Sequence, residues 1–293
     1  DAVVGTHTCD ITLTDGTSNT LDTYTLTVSQ KNDEPGLTAT GVTSTFTEGG
    51  SNLVLYSSAA ASDNDAQATQ TYLVLKVTIT NVQDTEEFLV IDGSDCDITT
   101  AATCVSNTAT NSGAAVVTLD GTTATVTWTA GAGGISEAAM ETLINSIAYK
   151  NTDDSPTTGD SRVVSITSLQ DNGGTSDGGD DTVTLNVQST VSVANENDAP
   201  TVANALIDQA VDEDAALDYT FADNSFTDLD TGDSCTYTAT DTSGNALPGW
   251  LTFAANDRQF TGTPLNANVG TLSVRVTCDD SNGGTVTDDF DIV

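Results

Sequence analysis

Positive charge is scarce in this sequence: 6 Lys and Arg stand against 43 Asp and Glu, giving a formal net charge of −37 over 293 residues. Duplex nucleic acid carries one negative charge per ~1.7 Å and repels such a chain. Anionic membrane surfaces repel it too, and no apolar run approaches the ~20 residues that a helical span requires. A single histidine, His7, all but excludes multi-histidine zinc sites and Ser/His/Asp triads. Aromatic residues make up 5 %, too few to furnish a stacking platform or a substrate cleft. None of the 20 asparagines lies in an Asn-x-Ser/Thr sequon, so N-glycosylation is not expected. No initiator Met, signal peptide or transit segment is visible. Both ends fall inside strand-like patterns, and the chain reads as an excerpt of a longer polypeptide. The charge calls for balance by small cations.

The residues that are plentiful, threonine and valine, point to β-structure, because β-branched side chains suit a pleated, half-buried surface. Apolar residues make up 37 % and are well patterned, which argues against disorder. Two motifs of the form Asn-Asp-x-Pro punctuate the chain, Asn32-Asp33-Glu34-Pro35 and Asn197-Asp198-Ala199-Pro200. Each follows a long alternating run, and a proline just past a strand ends the ladder and fixes an extended exit. This division gives the end of a preceding domain with its linker (1–35), a long middle domain (36–199) and a third domain (200–293). The first and last parts repeat weakly. Val4-Gly5-Thr6 precedes Asp15-Gly16 by the same spacing that separates Val269-Gly270-Thr271 from Asp280.

Strands are expected near 42–48, 71–80, 86–91, 114–119, 123–128, 161–169 and 181–194 in the middle domain. In the third they are expected near 202–211, 216–221, 234–240, 250–253, 258–261, 270–278 and 285–293, the count of a Greek-key sandwich. One helix interrupts the middle domain, capped by Ser136, with Met140, Leu143, Ile144 and Ile147 at helical spacing to cover one end of the sandwich. The fold class is therefore all-β: tandem immunoglobulin- or cadherin-like sandwiches in an elongated array.

Leu247-Pro248-Gly249-Trp250-Leu251-Thr252-Phe253, then Phe260-Thr261-Gly262-Thr263-Pro264 and Val269-Gly270-Thr271, resembles the dystroglycan-type cadherin-like domain. The middle domain resembles the longer cadherin-like repeats of giant bacterial surface adhesins. There the likeness rests on Phe46-Thr47-Glu48-Gly49-Gly50, on the helix running into Ile147-Ala148-Tyr149-Lys150-Asn151, and on the Asn-Asp-x-Pro exit. The resemblance implies an extracellular tandem array stiffened by calcium (Ca2+) at its junctions.

Carried over residue by residue, it implies one ligand set from Glu48, Asp153, Asp154, Asn197, Asp198, Asp228, Asp230 and Asp280, with Asp279 beside the last. The turn Asp153-Asp154-Ser155-Pro156 departs from the Asp-Arg-Glu usual in such arrays, which leaves the number of ions open. A second set comprises Asn32, Asp33, Asp63, Asp65 and Asp171, while Asp15 and Glu213 would belong to junctions further out. The chemistry stands without the name, since calcium takes 6–8 oxygens and no single short loop supplies them. Weaker motifs are the EF-hand-like start Asp228-Leu-Asp-Thr-Gly-Asp233, which lacks flanking helices, and the Gly173–Asp180 loop. The Thr123–Thr129 ladder reads as the wet face of an antiparallel sheet.

Cys96 and Cys104 bracket a short loop, and Cys235 and Cys278 fall on neighbouring antiparallel strands of a sandwich of this topology. Two disulfides are expected, implying an extracellular setting on a cell surface or in a secreted filament. Cys9 is left over. The functional reading is a structural or adhesive segment whose partners are neighbouring domains of its own chain, homotypic filament contacts or surface glycan and protein ligands. The alternative is a carbohydrate- or peptide-binding module. An enzyme is disfavoured, because no cleft-lining aromatic or basic residues accompany the carboxylates.

Overall fold

Alternating Thr and Val build strands whose apolar side chains all fall on one face, and two such faces close over each of two cores. The computed structural model describes residues 5–14, 16–17, 19–28, 31–65, 70–105 and 107–293. Val4 and Asp15, which belong to the first half of the internal repeat, lie outside them. The chain forms two compact units, Asp1–Ala194 and Asn195–Val293.

In the first unit, a seven-stranded sheet runs in the order Thr103–Val105, Ala114–Asp120, Thr123–Thr129, Tyr72–Thr80, Arg162–Asp171, Thr182–Ala194 and Thr43–Thr47. Its pairs are antiparallel except the last, where Phe46 lies beside Val193 in parallel register. A four-stranded sheet, Leu53–Val54, Ala148–Asn151, Glu87–Ile91 and Ser94–Asp97, and a ribbon of Gly36–Gly41 with Tyr56–Ser62 complete the sandwich. Trp128, Tyr72, Tyr149 and Phe46 fill the core, the last two ring edge to ring face with centroids 5.3 Å apart.

The helix runs over Glu137–Ser146. The Ser136 hydroxyl accepts from the Ala139 N–H at 3.3 Å, and Met140, Leu143 and Ile144 are buried. Its polar face does a second job. Glu141 Oε1 accepts from the Ala61 N–H at 3.1 Å and Asn145 Oδ1 from the Ala59 N–H at 3.0 Å, so the helix satisfies one edge of Tyr56–Ser62. An uncovered edge would expose a row of unpaired backbone groups.

The second unit sets Leu217–Thr220, Gln259–Gly262 and Leu251–Ala254 against Thr236–Asp241, Leu272–Asp279 and Thr285–Ile292. A short pair joins Thr201–Val202 to Phe226–Thr227. Phe221, Phe226, Phe253, Phe260 and Phe290 dominate the core. The long strand expected over 202–211 does not form. Asp288 Oδ2 takes the Leu206 N–H at 2.6 Å and the Tyr219 hydroxyl takes the Ile207 N–H at 3.2 Å, so side chains hold the middle of the segment, while the Ala203 and Asn204 N–H groups donate to the Ser225 carbonyl. Gln209 forms a parallel bridge to Ile292, and the Val211 N–H donates to the Val293 carbonyl at 2.9 Å. Cys96 is bonded to Cys104 and Cys235 to Cys278, the two disulfides the sequence reading expects.

One polar network lies wholly inside the first unit. Arg162, with no exposed surface, donates to Asp84 and Glu87 at 2.8 Å each and to the carbonyls of Thr157 and Asp160. Tyr149 donates to Glu87 at 2.9 Å and Asn151 to Asp84 at 2.8 Å. Removing one partner of a buried ion pair leaves the others charged and dry. Arg162→Met should therefore lower the stability of this unit by about 3–5 kcal/mol in urea unfolding. Lys76→Met, on the exposed face, should stay within about 0.5 kcal/mol of the parent. Equal effects would mean that the network carries no net stability.

Candidate metal centres

In each unit, residues of an Asn-Asp-x-Pro linker return to bind that unit's own acidic turns. In the second unit, the Asp230 N–H donates to Asp228 Oδ1 at 2.9 Å, closing a two-residue turn. The Asp198 N–H then donates to Asp230 Oδ2 at 2.7 Å, and Asn195 Nδ2 to Asp230 Oδ1 at 2.5 Å. Asn197 Nδ2 donates to Asp280 Oδ2 at 3.0 Å. Asp280 Oδ1 also accepts from the N–H groups of Asn282, Gly283 and Gly284 at 2.7, 2.9 and 3.0 Å. The Asn197 amide, followed by those backbone donors, holds the Asp280 carboxyl below the usual carboxylate range.

The first unit repeats this construction. The Asp65 N–H donates to Asp63 Oδ1 at 3.0 Å, the Asp33 N–H to Asp65 Oδ1 at 3.2 Å, and Asn32 Nδ2 to Asp171 Oδ1 at 3.2 Å. Asp171 Oδ1 accepts from the Gly173 N–H at 2.7 Å. Four contacts thus recur in the same order around linker Asn-Asp, Asp-x-Asp and late Asp. The late loops are tight. A methyl group on Gly173 would meet Asn32 Oδ1 at 1.4 Å, and one on Gly284 would meet Asp280 Oδ2 at 2.2 Å.

The two sites also share what they leave unsatisfied. Asp228 Oδ2 and Asp63 Oδ2 are buried without a hydrogen-bond partner, and so is Asn32 Oδ1. Oxygens of Asp228, Asp230 and Asp233 lie within 4.8 Å of one another, the one such group among the described residues. Two charges at that separation repel by about 3 kcal/mol at an effective dielectric of ~20. An all-oxygen donor set with orphaned carboxylate oxygens fits a hard divalent cation. Burial, then the charges of Asp65 and Asp33, raises the Asp63 carboxyl. Burial, with Asp63 and Asp181 nearby, pushes Asp171 up to about 6 against the pull of Gly173 and Asn32.

Glu48, Asp153 and Asp154 lie in the first unit. The Glu48 N–H donates to the Ala194 carbonyl at 3.0 Å, at the end of the parallel pair. Asp153 forms its own turn, its Oδ1 accepting from Ser155 N–H at 2.9 Å while its N–H donates to Asn151 Oδ1. Within that unit these three residues form no carboxylate cluster among the described residues. Asp279 is exposed and caps Ser281, and Glu213 lies exposed past the Gln209 bridge.

Residues 199–293 match a family described as "Putative Ig domain". No curated protein matches the chain. Among solved structures, the protocadherin gamma B2 extracellular cadherin domains 1–5 are 11 % identical, with a TM-score of 0.43, over 98 % of this chain and 45 % of that one. Mouse cadherin-23 domains EC22–24 are 16 % identical, with a TM-score of 0.39, over 89 % and 66 %. An endo-fucoidan hydrolase from glycoside hydrolase family 107 is 17 % identical, with a TM-score of 0.26, over 99 % and 34 %. The chain thus spans about a third to two thirds of these longer chains.

Two contributors were not in the expected ligand sets. Asn195 precedes the linker motif and binds Asp230. Asp233 was visible only in the weak EF-hand-like string, and the turn after Asp230 brings it back to Asp228, with Asn282 Nδ2 donating to it at 2.8 Å.

Proton linkage separates the two late aspartates. With divalent cations chelated, folded Asp171 holds its proton more tightly than an unfolded Asp, whose value is about 3.9. The stability of the first unit should therefore fall as pH rises from about 4 to about 6 and level off above. Asp280, shifted the other way, should cost the second unit stability only as pH falls through and below the ordinary carboxylate range. Urea midpoints in chelator across this range check both, and Asp171→Asn should flatten the first decline. A first-unit midpoint that rises between pH 4 and 6 would reverse the assignment.

Proposed function

We propose that the chain is a structural and adhesive segment of an extracellular array of β-sandwiches, and that calcium at the linkers sets its stiffness. Supporting this reading is the duplicated construction itself: two separate linkers bound by the same contacts to the same kinds of turn, with the same Asp Oδ2 left orphaned. A merely solvated acidic surface has no reason to repeat an orphaned oxygen. Two disulfides support an oxidising, extracellular setting.

Calcium, when bound, supplies two positive charges to the carboxylate oxygens. Asp228, Asp230 and Asp233 would hold it in the second unit, with Asp63, Asp65, Asp171 and Asn32 Oδ1 in the first. The remaining steps belong to the protein. Asp230 and Asp280 already hold Asn195, Asn197 and Asp198 through hydrogen bonds. Offsetting the repulsion among the carboxylates would lock those linker residues onto their sandwich, and a locked linker has few directions to bend. Binding to the folded form alone also adds stability by mass action.

Small-angle scattering with calcium and with chelator tests this. An extended rod is expected with calcium and a broader distribution of shapes without it, the circular dichroism of the β-sheets staying constant. Asp230→Ala should reproduce the chelated state at the 195–198 linker alone, even in calcium. A scattering curve indifferent to chelation would leave the acidic clusters as solvated surface.

A further inference from the structure

The hairpin of Gly5–Thr14 and Asn19–Val28 carries an apolar face that the rest of its unit leaves open. Side chains alternate across a strand, and directly opposed residues share a face. Cys9 opposes Tyr24, Ile11 opposes Asp22 and His7 opposes Leu26, so one face gathers Cys9, Ile11, Leu13, Tyr24 and Leu26. Ile11, Leu13, Tyr24 and Leu26 are 52, 76, 56 and 64 % exposed. Thr6, Thr8, Asp10, Thr23, Thr25 and Thr27 occupy the other face, with Leu21 the one large apolar residue among them.

A similar pattern recurs in the hairpin that closes the second unit, with His7 standing where Leu272 does. There Val274 opposes Phe290, Val276 opposes Asp288, Leu272 opposes Ile292 and Cys278 opposes Val286. Aligned on these pairs, Cys9 stands for Val274, Ile11 for Val276, Leu13 for Cys278, Asp22 for Asp288, Tyr24 for Phe290 and Leu26 for Ile292. In the second unit that face is the core. Val274, Val276 and Cys278 are fully buried, and Phe290 packs against Tyr219 and Phe260 with ring centroids 5.2 Å away in each case. The aspartate matches too, because Asp288 accepts the N–H of Leu206 from the segment crossing the sandwich. The sheet covering Phe290 is built from Leu217–Thr220, Leu251–Ala254 and Gln259–Gly262, all ahead of their hairpin.

We propose that Gly5–Val28 is the closing hairpin of a further sandwich, and that its apolar face docks a β-sheet carried by the parent polypeptide ahead of residue 1. That sheet presents inward aromatic and aliphatic side chains, Tyr24 takes the place of Phe290 against them, and Asp22 receives a backbone N–H from the crossing segment. Cys9 becomes a core residue. This inference rests on the tandem-array reading but not on calcium.

The test compares the 293-residue chain with the parent chain extended upstream by a stretch equivalent to 201–271, both in chelator. Cys9 is the free thiol, the other four cysteines being paired, so mass-resolved labelling by a maleimide reports its burial. In the 293-residue chain it should label as an open thiol. In the extended chain it should label at least about 100-fold more slowly or be found in a disulfide to the upstream sheet, and the amides of Tyr24–Val28 should gain exchange protection. Equal labelling in a well-folded extended chain overturns the proposal. So does concentration-dependent protection of the 293-residue chain, which would assign the face to a second copy, and so does an upstream sequence without strand patterning. Chelator keeps the outcomes apart: scattering that ignores calcium would remove the cation reading while leaving Cys9 protection untouched.

Discussion

Six cationic side chains cannot pair with 43 carboxylates, so in this protein the buried acids must find N–H groups. The described structure keeps to that constraint nearly everywhere. Arg162 is the buried cation that serves Asp84 and Glu87. Asp92 is held by the N–H and side-chain amide of Asn111 and by the Thr108 hydroxyl. Asp171, Asp230 and Asp280 are likewise held by linker amides and backbone donors. A carboxylate accepting from the backbone two residues on recurs at Asp63, Asp97, Asp153, Asp171, Asp228, Asp241, Asp279 and Asp280. Acidity and turn structure are one feature here. Each such bond ties a carboxylate to the backbone of its own turn, so the aspartates shape the loops as well as charge them.

This arrangement runs out of donors where two aspartates share one turn. In Asp228-Leu229-Asp230 the first carboxylate spends one oxygen on closing the turn, and no further N–H reaches its other oxygen. The same happens at Asp63. A backbone that could donate there would have to leave the strand ends it connects. The deficit is therefore geometric, and it is the property that gives a cation something to do.

The legible parts of the sequence were those decided by local chemistry. Alternation located Tyr72–Thr80, Thr123–Thr129 and Thr182–Ala194, and Ser136 with its apolar spacing located the helix. The cysteines were legible because a sandwich makes their strands neighbours. Gly36–Gly41 and Tyr56–Ser62 escaped notice because Gly, Ala and Ser carry little strand preference; the pairing between them and the helix side chains on their edge are long-range. Residues 203–211 carry an apolar pattern, but their backbone bonds are divided among the Ser225 carbonyl, the Asp288 and Tyr219 side chains and the Asp291 and Val293 carbonyls, so no continuous strand forms. Asp-x-Asp and Asn-Asp marked the site from a distance, whereas Asn195 and Asp233 depended on the path of the turns, which spacing alone does not specify.

The choice of asparagine at 32 and 197 follows from the same shortage. The residue before the linker aspartate must hold the late carboxylate, Asp171 or Asp280, which requires a donor. A lysine could donate, but its charge would oppose a cation. Aspartate could ligate a cation, but it would add a like charge beside a carboxylate already near others, and it has no proton to offer at neutral pH. Serine donates but is too short to span both roles. The carboxamide donates through Nδ2 and keeps an oxygen free of charge, as Asn32 does with Nδ2 on Asp171 and Oδ1 buried and unpartnered. Asn is thus the side chain that can donate to a late acid and still carry an uncharged oxygen, which orders the linker against an acidic turn without adding to its charge.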